Sequence, residues 1–228
     1  MKLLVTSGPA WEGLDGMRRL TNASTGRLGS LLADAFADAG HEVTLFRAEL
    51  ATAPPPARHV PVLTFGTNDD LAARLAGWPE GHGVDAVFHA AALCDFKPAA
   101  VRSADGTRLE AGKLPSRAGR LTVELEPATK LLPRLREWFP GAGIVGWKYE
   151  LDGGREAALA AAWRQLAEAS SDACVLNGTA WGPGFALCEP SASGGPASGA
   201  ASVTACDDVP ALARALLTWL ERRRLSRA

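Results

Sequence analysis

Short apolar runs alternate with helical patterns along the 228 residues of the chain. Residues 2–6 predict a buried strand, and the apolar positions from Leu28 to Ala39 recur at helical spacing. Residues 84–93 are the most apolar run, as expected of a central parallel strand buried on both faces. Further strands are predicted at 41–46, 60–65, 121–125, 144–147 and 172–176, and further helices at 71–75, 131–139, 159–166 and 207–223. This alternation predicts an α/β fold, a Rossmann-like three-layer sandwich with a mainly parallel central sheet.

Two stretches interrupt the alternation. Residues 94–120 show no periodicity and are rich in Arg, Gly, Asp and Ser. A loop of that length in a compact domain is usually functional or disordered. Residues 190–202 are of low complexity and are typical of a hairpin tip or surface loop. We therefore expect one domain over residues 1–228, with a long functional loop at about 94–120.

Charge and composition exclude several classes of protein. The 24 Lys and Arg residues nearly balance 25 Asp and Glu residues, which argues against nucleic-acid binding. No apolar run approaches the roughly 18 residues of a membrane helix, and the apolar start is too short for a secretory signal. The four cysteines show neither a CxxC pair nor metal-ligand spacing. We expect a reduced cytoplasmic protein without a protein-bound metal.

Ligands of such sheets bind beyond the carboxyl ends of the strands, which directs attention to the loops after Thr6, Leu93, Trp147 and Leu176. The first of these loops lacks the GxGxxG pattern of dinucleotide folds. Instead, residues 22–26 (NASTG) lead into a helix, where free amides and the helix dipole favour an anion. The alternative is that the serine of this segment only caps the helix and its glycine only permits a turn.

Five ordered segments resemble one family. VTSGPAWEGLDGMRRLTNASTGRLG is similar to the opening of phosphopantothenoylcysteine synthetase (phosphopantothenate–cysteine ligase), with the pattern VTSGGTxEPIDxVRxITNxSSGxxG. HAAALCDFKP resembles that family's AAVADYRP segment, and GKLPS its KIKK segment. EPATKLLPRLREWFPGAGIVGWKYELD and VLNG resemble its TPKIL…VGFKxExD and AND segments. The resemblance extends from residue 3 to about residue 180. The chain also resembles the type of domain called the DNA/pantothenate metabolism flavoprotein C-terminal domain.

The resemblance implies a nucleotide-dependent ligase of coenzyme A biosynthesis. The enzyme would join 4′-phosphopantothenate to L-cysteine through an acyl-nucleotide intermediate, with Mg²⁺ and CTP, or ATP, as co-substrate. The chain would be a monofunctional form that binds no flavin. It would act as a homodimer in which a strap, at 94–120, closes the partner's site.

The resemblance also implies roles for individual residues. Asn22 and Lys113 would be catalytic, Asn22 at the acyl-nucleotide and Lys113 at the triphosphate. Nucleotide contacts would come from Asp95, Lys113, Ala128, Thr129, Lys130, Leu131 and Trp147. Substrate contacts would come from Arg18, Asn22, Ser24, Thr25 and Gly26, with Arg27 a further candidate on charge grounds. For Trp147 the alternative is core packing, and for the two arginines it is a solvated surface role.

Departures from the family pattern keep an alternative open. Gln165 and Ala169 stand where relatives carry lysines that grip the triphosphate, with only Arg164 nearby. Residues 177–178 read Asn-Gly instead of Asn-Asp. The chain could thus be a divergent paralogue that binds a nucleotide or a phosphopantothenate-like ligand without ligase activity. A short-chain oxidoreductase is disfavoured, because Tyr149 lacks the lysine four residues later that its Tyr-x-x-x-Lys pair requires.

Overall fold

A computed structural model describes residues 1–79, 83–110, 112–114, 117, 119–190 and 201–226. The strands in chain order are β1 Lys2–Ser7, β2 Trp11–Gly13, β3 Arg19–Thr21, β4 Glu42–Ala48, β5 Val62–Phe65, β6 Ala86–His89, β7 Phe96–Ser103, β8 Leu121–Pro127, β9 Gly143–Tyr149, β10 Ala173–Asn177, β11 Phe185–Glu189 and β12 Ser202–Cys206. The helices are α1 Arg27–Asp38, α2 Asn68–Ala76, α3 Leu135–Trp138, α4 Arg155–Ala169 and α5 Val209–Leu225, with a 3-10 turn at Leu132–Arg134.

Eight of these strands form the central sheet, in the order β12-β11-β10-β9-β6-β1-β4-β5. The pairings from β10 through β9, β6, β1 and β4 to β5 are all parallel. The pairings of β11 with β10 and β12 are antiparallel and lie at one edge. The predicted Rossmann-like fold with a mainly parallel sheet is therefore confirmed.

Helices cover both faces of the sheet. Helices α1 and α5 enclose one apolar cluster, in which the rings of Phe36 and Phe88 lie 4.5 Å apart between centroids. Helices α2 and α3 enclose a second cluster on the other face, around Phe46 and Leu135. Helix α4 continues that second face over β10. Side chains buried on both faces explain why the central strands read as continuous apolar runs.

Two antiparallel ribbons stand outside the central sheet, β2 with β3 and β7 with β8. The expectation that residues 94–120 lack regular structure is wrong for Phe96–Ser103, which forms β7. The predicted strand at 121–125 exists as β8, but it pairs with β7 and not with the central sheet. Both ribbons expose most of their side chains, so they lack the apolar run that identifies a buried strand.

Other boundaries also differ from those predicted. Strand β6 is shorter than the apolar run at 84–93, and β11 and β12 were not predicted. The low-complexity segment 190–202 connects β11 to β12, and its residues 191–200 lie outside the described residues. None of the helices within the described ranges is long and apolar enough to span a membrane.

Candidate functional site

A cavity of about 400 Å³ opens at the carboxyl ends of β6 and β9. Its walls come from the end of β6 and the loop after it, the loop after β8, the end of β9, and one side of α4. We call it the β6–β9 cavity. Its position beyond the carboxyl ends of parallel strands is where folds of this class bind their ligands.

Five of the seven predicted nucleotide contacts line this cavity: Asp95, Thr129, Lys130, Leu131 and Trp147. A sixth, Ala128, is buried beside it, and its amide donates to the Asp95 carbonyl oxygen at 2.9 Å. The structure therefore brings together two segments that are more than 30 residues apart in sequence.

A charged pair projects from these two segments. The Lys130 ammonium contacts the Asp95 carboxylate, and both side chains are largely exposed. Exposed pairs of this kind contribute only about 0–1 kcal/mol to stability. Both groups thus remain accessible to a ligand, as a cation for phosphate and an acceptor for hydroxyl or amino groups.

The buried side chain of Asn68 ties the two segments together, a role that the sequence did not indicate. Its Nδ2 donates to the carbonyl oxygens of Cys94 at 2.8 Å and Thr129 at 3.0 Å. Its Oδ1 accepts from the Cys94 amide at 3.1 Å. Asn68 is 1% exposed, so losing these bonds would leave buried polar groups unpaired.

Helix α2 holds this asparagine in place. Thr67 caps the helix, because its hydroxyl accepts from the Asp70 amide at 3.1 Å. The Thr129 hydroxyl donates to the Asp69 carboxylate at 2.5 Å. The first turn of α2 therefore contacts the loop after β8 twice, through Asn68 and Asp69.

Close packing between β9 and α4 shapes the opposite wall. A Cβ on Gly146 would lie 2.8 Å from a Leu132 methyl carbon and 2.9 Å from Gln165 Nε2, so a larger residue would force both to move. Gln165 and Ala169, at the positions of the relatives' lysines, both line the cavity, as does Arg164. Arg164 is thus the cation that α4 contributes to this wall of the cavity.

The Trp147 side chain packs mainly as core. It contacts the apolar cluster beneath α1 and α5, and its indole Nε1 is buried with no hydrogen-bond partner among the described residues. Successive residues of a strand face opposite sides. The indole therefore packs as part of the core, as the alternative for Trp147 stated, although the residue also borders the cavity.

The loop before α1 contacts the cavity lining through Asn22, which bonds to one of its residues. The exposed Asn22 side chain donates from Nδ2 to the Leu93 carbonyl oxygen at 2.7 Å, and Leu93 lines the cavity. The predicted catalytic amide and the predicted nucleotide contacts are therefore brought to one end of the sheet.

The start of α1 is built by glycines. Gly26 is the N-cap, with φ +76°, and no side chain caps the helix. The alternative that Ser24 caps the helix is thus wrong, because within the described part of the chain its hydroxyl accepts from the Gly26 amide, at 3.4 Å, and from no amide of the first helical turn. Thr25 accepts from the Arg27 amide at 3.3 Å. A Cβ on Gly29 would lie 2.3 Å from Ser7 Cβ, so glycine there lets the helix start sit against β1.

Arg18 and Lys113 lie elsewhere, at what we call the hairpin end: the β2–β3 turn and residues 112–114. Asp15 holds this region, since its carboxylate accepts from the Leu114 amide at 2.9 Å and contacts the Arg18 guanidinium. Those hydrogen bonds, the Leu114 amide foremost, lower the pKa of Asp15 to about 2. Lys113 is exposed and does not line the β6–β9 cavity. The structure thus separates it from most of the predicted nucleotide contacts.

Comparison with known proteins places the chain in a family. Residues 1–216 match the family described as the DNA/pantothenate metabolism flavoprotein C-terminal domain. The chain belongs to this family. The resemblance stated from the sequence motifs is therefore confirmed.

Two curated proteins that are similar to this chain are named as bifunctional. The coenzyme A biosynthesis bifunctional protein CoaBC of Thermococcus kodakarensis is 31% identical over 176 residues, which cover 77% of this chain and 41% of that protein. The CoaBC protein of Bacillus subtilis is 29% identical over 150 residues, which cover 65% and 34%. The chain thus spans less than half the length of these relatives.

Solved structures agree with the fold. The DNA/pantothenate metabolism flavoprotein from Streptococcus pneumoniae superposes with a TM-score of 0.81 at 21% identity, over 97% of this chain and 99% of that one. A Cab2 mutant in complex with phosphopantothenate-cysteine superposes with a TM-score of 0.73 at 17% identity, over 99% and 88%. At these identities the likeness concerns the fold.

Proposed function

We propose that this chain is a phosphopantothenate–cysteine ligase of coenzyme A biosynthesis, with CTP preferred and ATP as the other possible nucleotide. One observation carries the proposal: the Asn22 amide bonds to Leu93 at the edge of the β6–β9 cavity. A residue matching the family's acyl-nucleotide asparagine thus adjoins the predicted nucleotide contacts. Family membership over residues 1–216 supports the same reaction.

The reaction has two steps that balance without a redox cofactor. A carboxylate oxygen of 4′-phosphopantothenate bonds to the α-phosphorus of the nucleotide, and the bond to the β-phosphate breaks to release pyrophosphate. The cysteine amine then bonds to the acyl carbon, the nucleoside monophosphate leaves, and the amine gives up a proton. Activation is needed because a free carboxylate is a poor acyl donor.

The residues that adjoin the cavity fit these steps. The Asn22 amide would donate to the carbonyl or phosphoryl oxygen as charge develops there. Lys130 and Arg164 would face the phosphates, and Asp95 would accept from the ribose or base. The helix start at residues 24–26 would bind the phosphate of phosphopantothenate.

Mg²⁺ would enter with the triphosphate, as part of the substrate. Among the described residues no cluster of His, Cys, Asp and Glu could hold a metal by itself. An Mg²⁺ ion carried by substrate phosphates commonly needs only one or two protein carboxylates. Asp95 and Glu168 are the carboxylates that line the cavity.

A homodimer would complete the site at the hairpin end. Apolar side chains on both ribbons are exposed, among them Leu20, Phe96 and Leu125. Leu20 and Leu125 border a groove between the ribbons that also includes Leu14 and Pro98. Exposed apolar surface of this kind favours a partner, and a second copy could bring its Lys113 segment to this chain's cavity.

Four buried, unpaired thiols fit the reducing cytoplasm.

Pyrophosphate release tests the proposal. The protein is mixed with Mg²⁺, 4′-phosphopantothenate and cysteine, with CTP or ATP, beside Asn22→Ala and the control Ser24→Ala. We expect release that depends on phosphopantothenate, a loss of about 100-fold in Asn22→Ala, and a smaller loss in Ser24→Ala. Folded wild-type protein that releases nothing with either nucleotide would contradict the proposal.

One observation favours the alternative of a divergent, non-ligating paralogue. Gln165 and Ala169 both line the cavity wall, where the relatives' lysines would meet the triphosphate. Nucleotide binding without pyrophosphate release would support this alternative. A double variant Gln165→Lys with Ala169→Lys would then gain release if the missing cations are the cause.

A further inference from the structure

The β6–β9 cavity contains a buried histidine that the proposed mechanism does not use. His89 ends β6, between β1 and β9, and is 6% exposed. Along β6, Val87 faces the α2–α3 side and Phe88 the α1–α5 side. His89 therefore faces the α2–α3 side, where it lines the cavity.

The hydrogen bonds of Thr6 orient the imidazole ring. The Thr6 hydroxyl oxygen lies 2.9 Å from His89 Nδ1 and accepts from the Ala91 amide at 3.2 Å. The buried Thr6 hydroxyl has no other acceptor among the described residues, so we assign its proton to the contact with Nδ1. The ring is then the tautomer that carries its proton on Nε2. Nε2 has no hydrogen-bond partner among the described residues.

The surroundings of His89 favour an uncharged ligand atom. Burial lowers the pKa of His89 to about 4, so the ring is neutral at physiological pH. Two cationic side chains of the cavity, Lys130 and Arg164, are exposed and lie at its mouth, and a third, Lys148, is paired with the Glu150 carboxylate at 2.9 Å. Phosphates bound beside those cations leave the deeper, uncharged end of the cavity for the nucleotide base.

We propose that His89 is a specificity-determining residue, whose Nε2–H donates a hydrogen bond to an acceptor atom on the base of the bound nucleotide. The inference rests on the proposed nucleotide dependence and adds a contact that distinguishes one base from another. Thr6 is a positioning residue, because its hydroxyl fixes the tautomer of His89 and also holds the Ala91 amide at the cavity wall.

Titration calorimetry with MgCTP and MgATP tests the inference. His89→Phe keeps a ring but removes the donor, and His89→Gln places an amide donor at the same distance from the backbone. Thr6→Val removes the hydroxyl, and Thr6→Ser is its matched control. Mg²⁺-tripolyphosphate, which lacks a base, reports on the phosphate contacts alone.

We expect His89→Phe to weaken the preferred nucleotide by about tenfold, as expected for one hydrogen bond, and to bring the ratio of the CTP and ATP dissociation constants closer to one. Tripolyphosphate binding should not change. His89→Gln and Thr6→Ser should stay within about threefold of wild type, and Thr6→Val should lie between.

An unchanged CTP-to-ATP ratio in His89→Phe would overturn the inference, because a phosphate contact or a general distortion weakens both nucleotides equally. If His89→Phe does not fold, equal ratios in Thr6→Val and Thr6→Ser overturn it instead. Wild-type protein that binds neither nucleotide overturns the proposed function together with the inference. Wild-type binding with unaltered variants overturns the inference alone.

Discussion

The β6–β9 cavity and the hairpin end both carry residues for which the sequence predicted chemistry, but they are built differently. At the cavity, the buried Asn68 side chain joins two segments through three hydrogen bonds. At the hairpin end, the Asp15 carboxylate joins an exposed turn to the Lys113 segment. One region is fixed by a buried amide of the core, and the other by a buried carboxylate within an otherwise exposed turn.

The difference indicates which part of the reaction, binding or turnover, each region would affect. A preformed cavity costs little ordering when a nucleotide binds. The hairpin end lies beside ribbons with exposed apolar side chains, so its geometry would be completed only when a ligand or a second copy covers it. Substitutions should therefore affect binding at the cavity, and turnover at the hairpin end.

Lys113→Ala should have the largest effect. Removing a cation that would act on the transition state should lower kcat of pyrophosphate release by about 100-fold or more, with little change in nucleotide KM. Arg117→Ala, which removes an exposed cation four residues further along the chain, is the matched control and should retain activity. Equal effects of both substitutions would show that Lys113 supplies only general charge.

As the pH falls, the stability contribution of His89 at the cavity should be lost before that of Asp15 at the hairpin end. The folded pKa of His89 is lowered to about 4 by burial, from 6.5. Its contribution to stability is complete above pH 6.5 and is lost as the pH falls to about 4, because only the unfolded state gains the proton. The loss should reach about 3 kcal/mol. The pKa of Asp15 is lowered to about 2, so its contribution is lost only between about pH 3.8 and 2.

Urea unfolding of wild type and His89→Phe at pH 7, 5.5 and 4.5 measures this difference. We expect a shallower decline of the unfolding free energy in the variant, whatever its stability at pH 7. Parallel declines would contradict a buried, neutral His89. Asp15→Asn should leave the slope in this range unchanged.

Asn68→Ala should have the next largest effect, and this effect should be on the cavity. Losing its three buried hydrogen bonds should cost about 2 kcal/mol of folding free energy and raise the nucleotide KM about tenfold, with a smaller change in kcat. Asp69→Ala also loses a contact with Thr129, but an exposed one, and is the control with the smaller expected effect. A stability loss with unchanged KM would mean that Asn68 is structural only.

Asp15→Asn should weaken the hairpin end without unfolding the chain. The amide keeps an acceptor for the Leu114 amide but loses the charge that faces Arg18. We expect kcat to fall by up to about tenfold while nucleotide affinity stays constant, because the cavity does not depend on this contact. A matching rise in nucleotide KM would show that the two regions are coupled.

The sequence predicted the parts of the fold that bury apolar runs, and it missed those held by distant partners. Strands β1, β6 and β9 were predicted because both their faces are buried. Strand β7 was missed because its ribbon partner begins 18 residues further on and most of its side chains are at least partly exposed. Local pattern contains no information about such a pairing.

The candidate site divides in the same way. Motif resemblance predicted Asp95 and Lys130, which line the cavity. It did not predict Asn68, whose partners Cys94 and Thr129 are 26 and 61 residues away. For the cavity residue His89, the sequence offered one signal: it is a polar residue within the most apolar run of the chain.

The smallest effect should come from the exposed pair at the cavity mouth. Lys130→Gln removes the ammonium that contacts Asp95, yet both side chains are largely exposed. We expect the folding free energy to change by less than about 1 kcal/mol, while nucleotide affinity falls several-fold and depends less on salt. A stability loss as large as that of Asn68→Ala would show that the two segments are held by charge instead of by the buried amide. In that case the cavity would be no more preformed than the hairpin end.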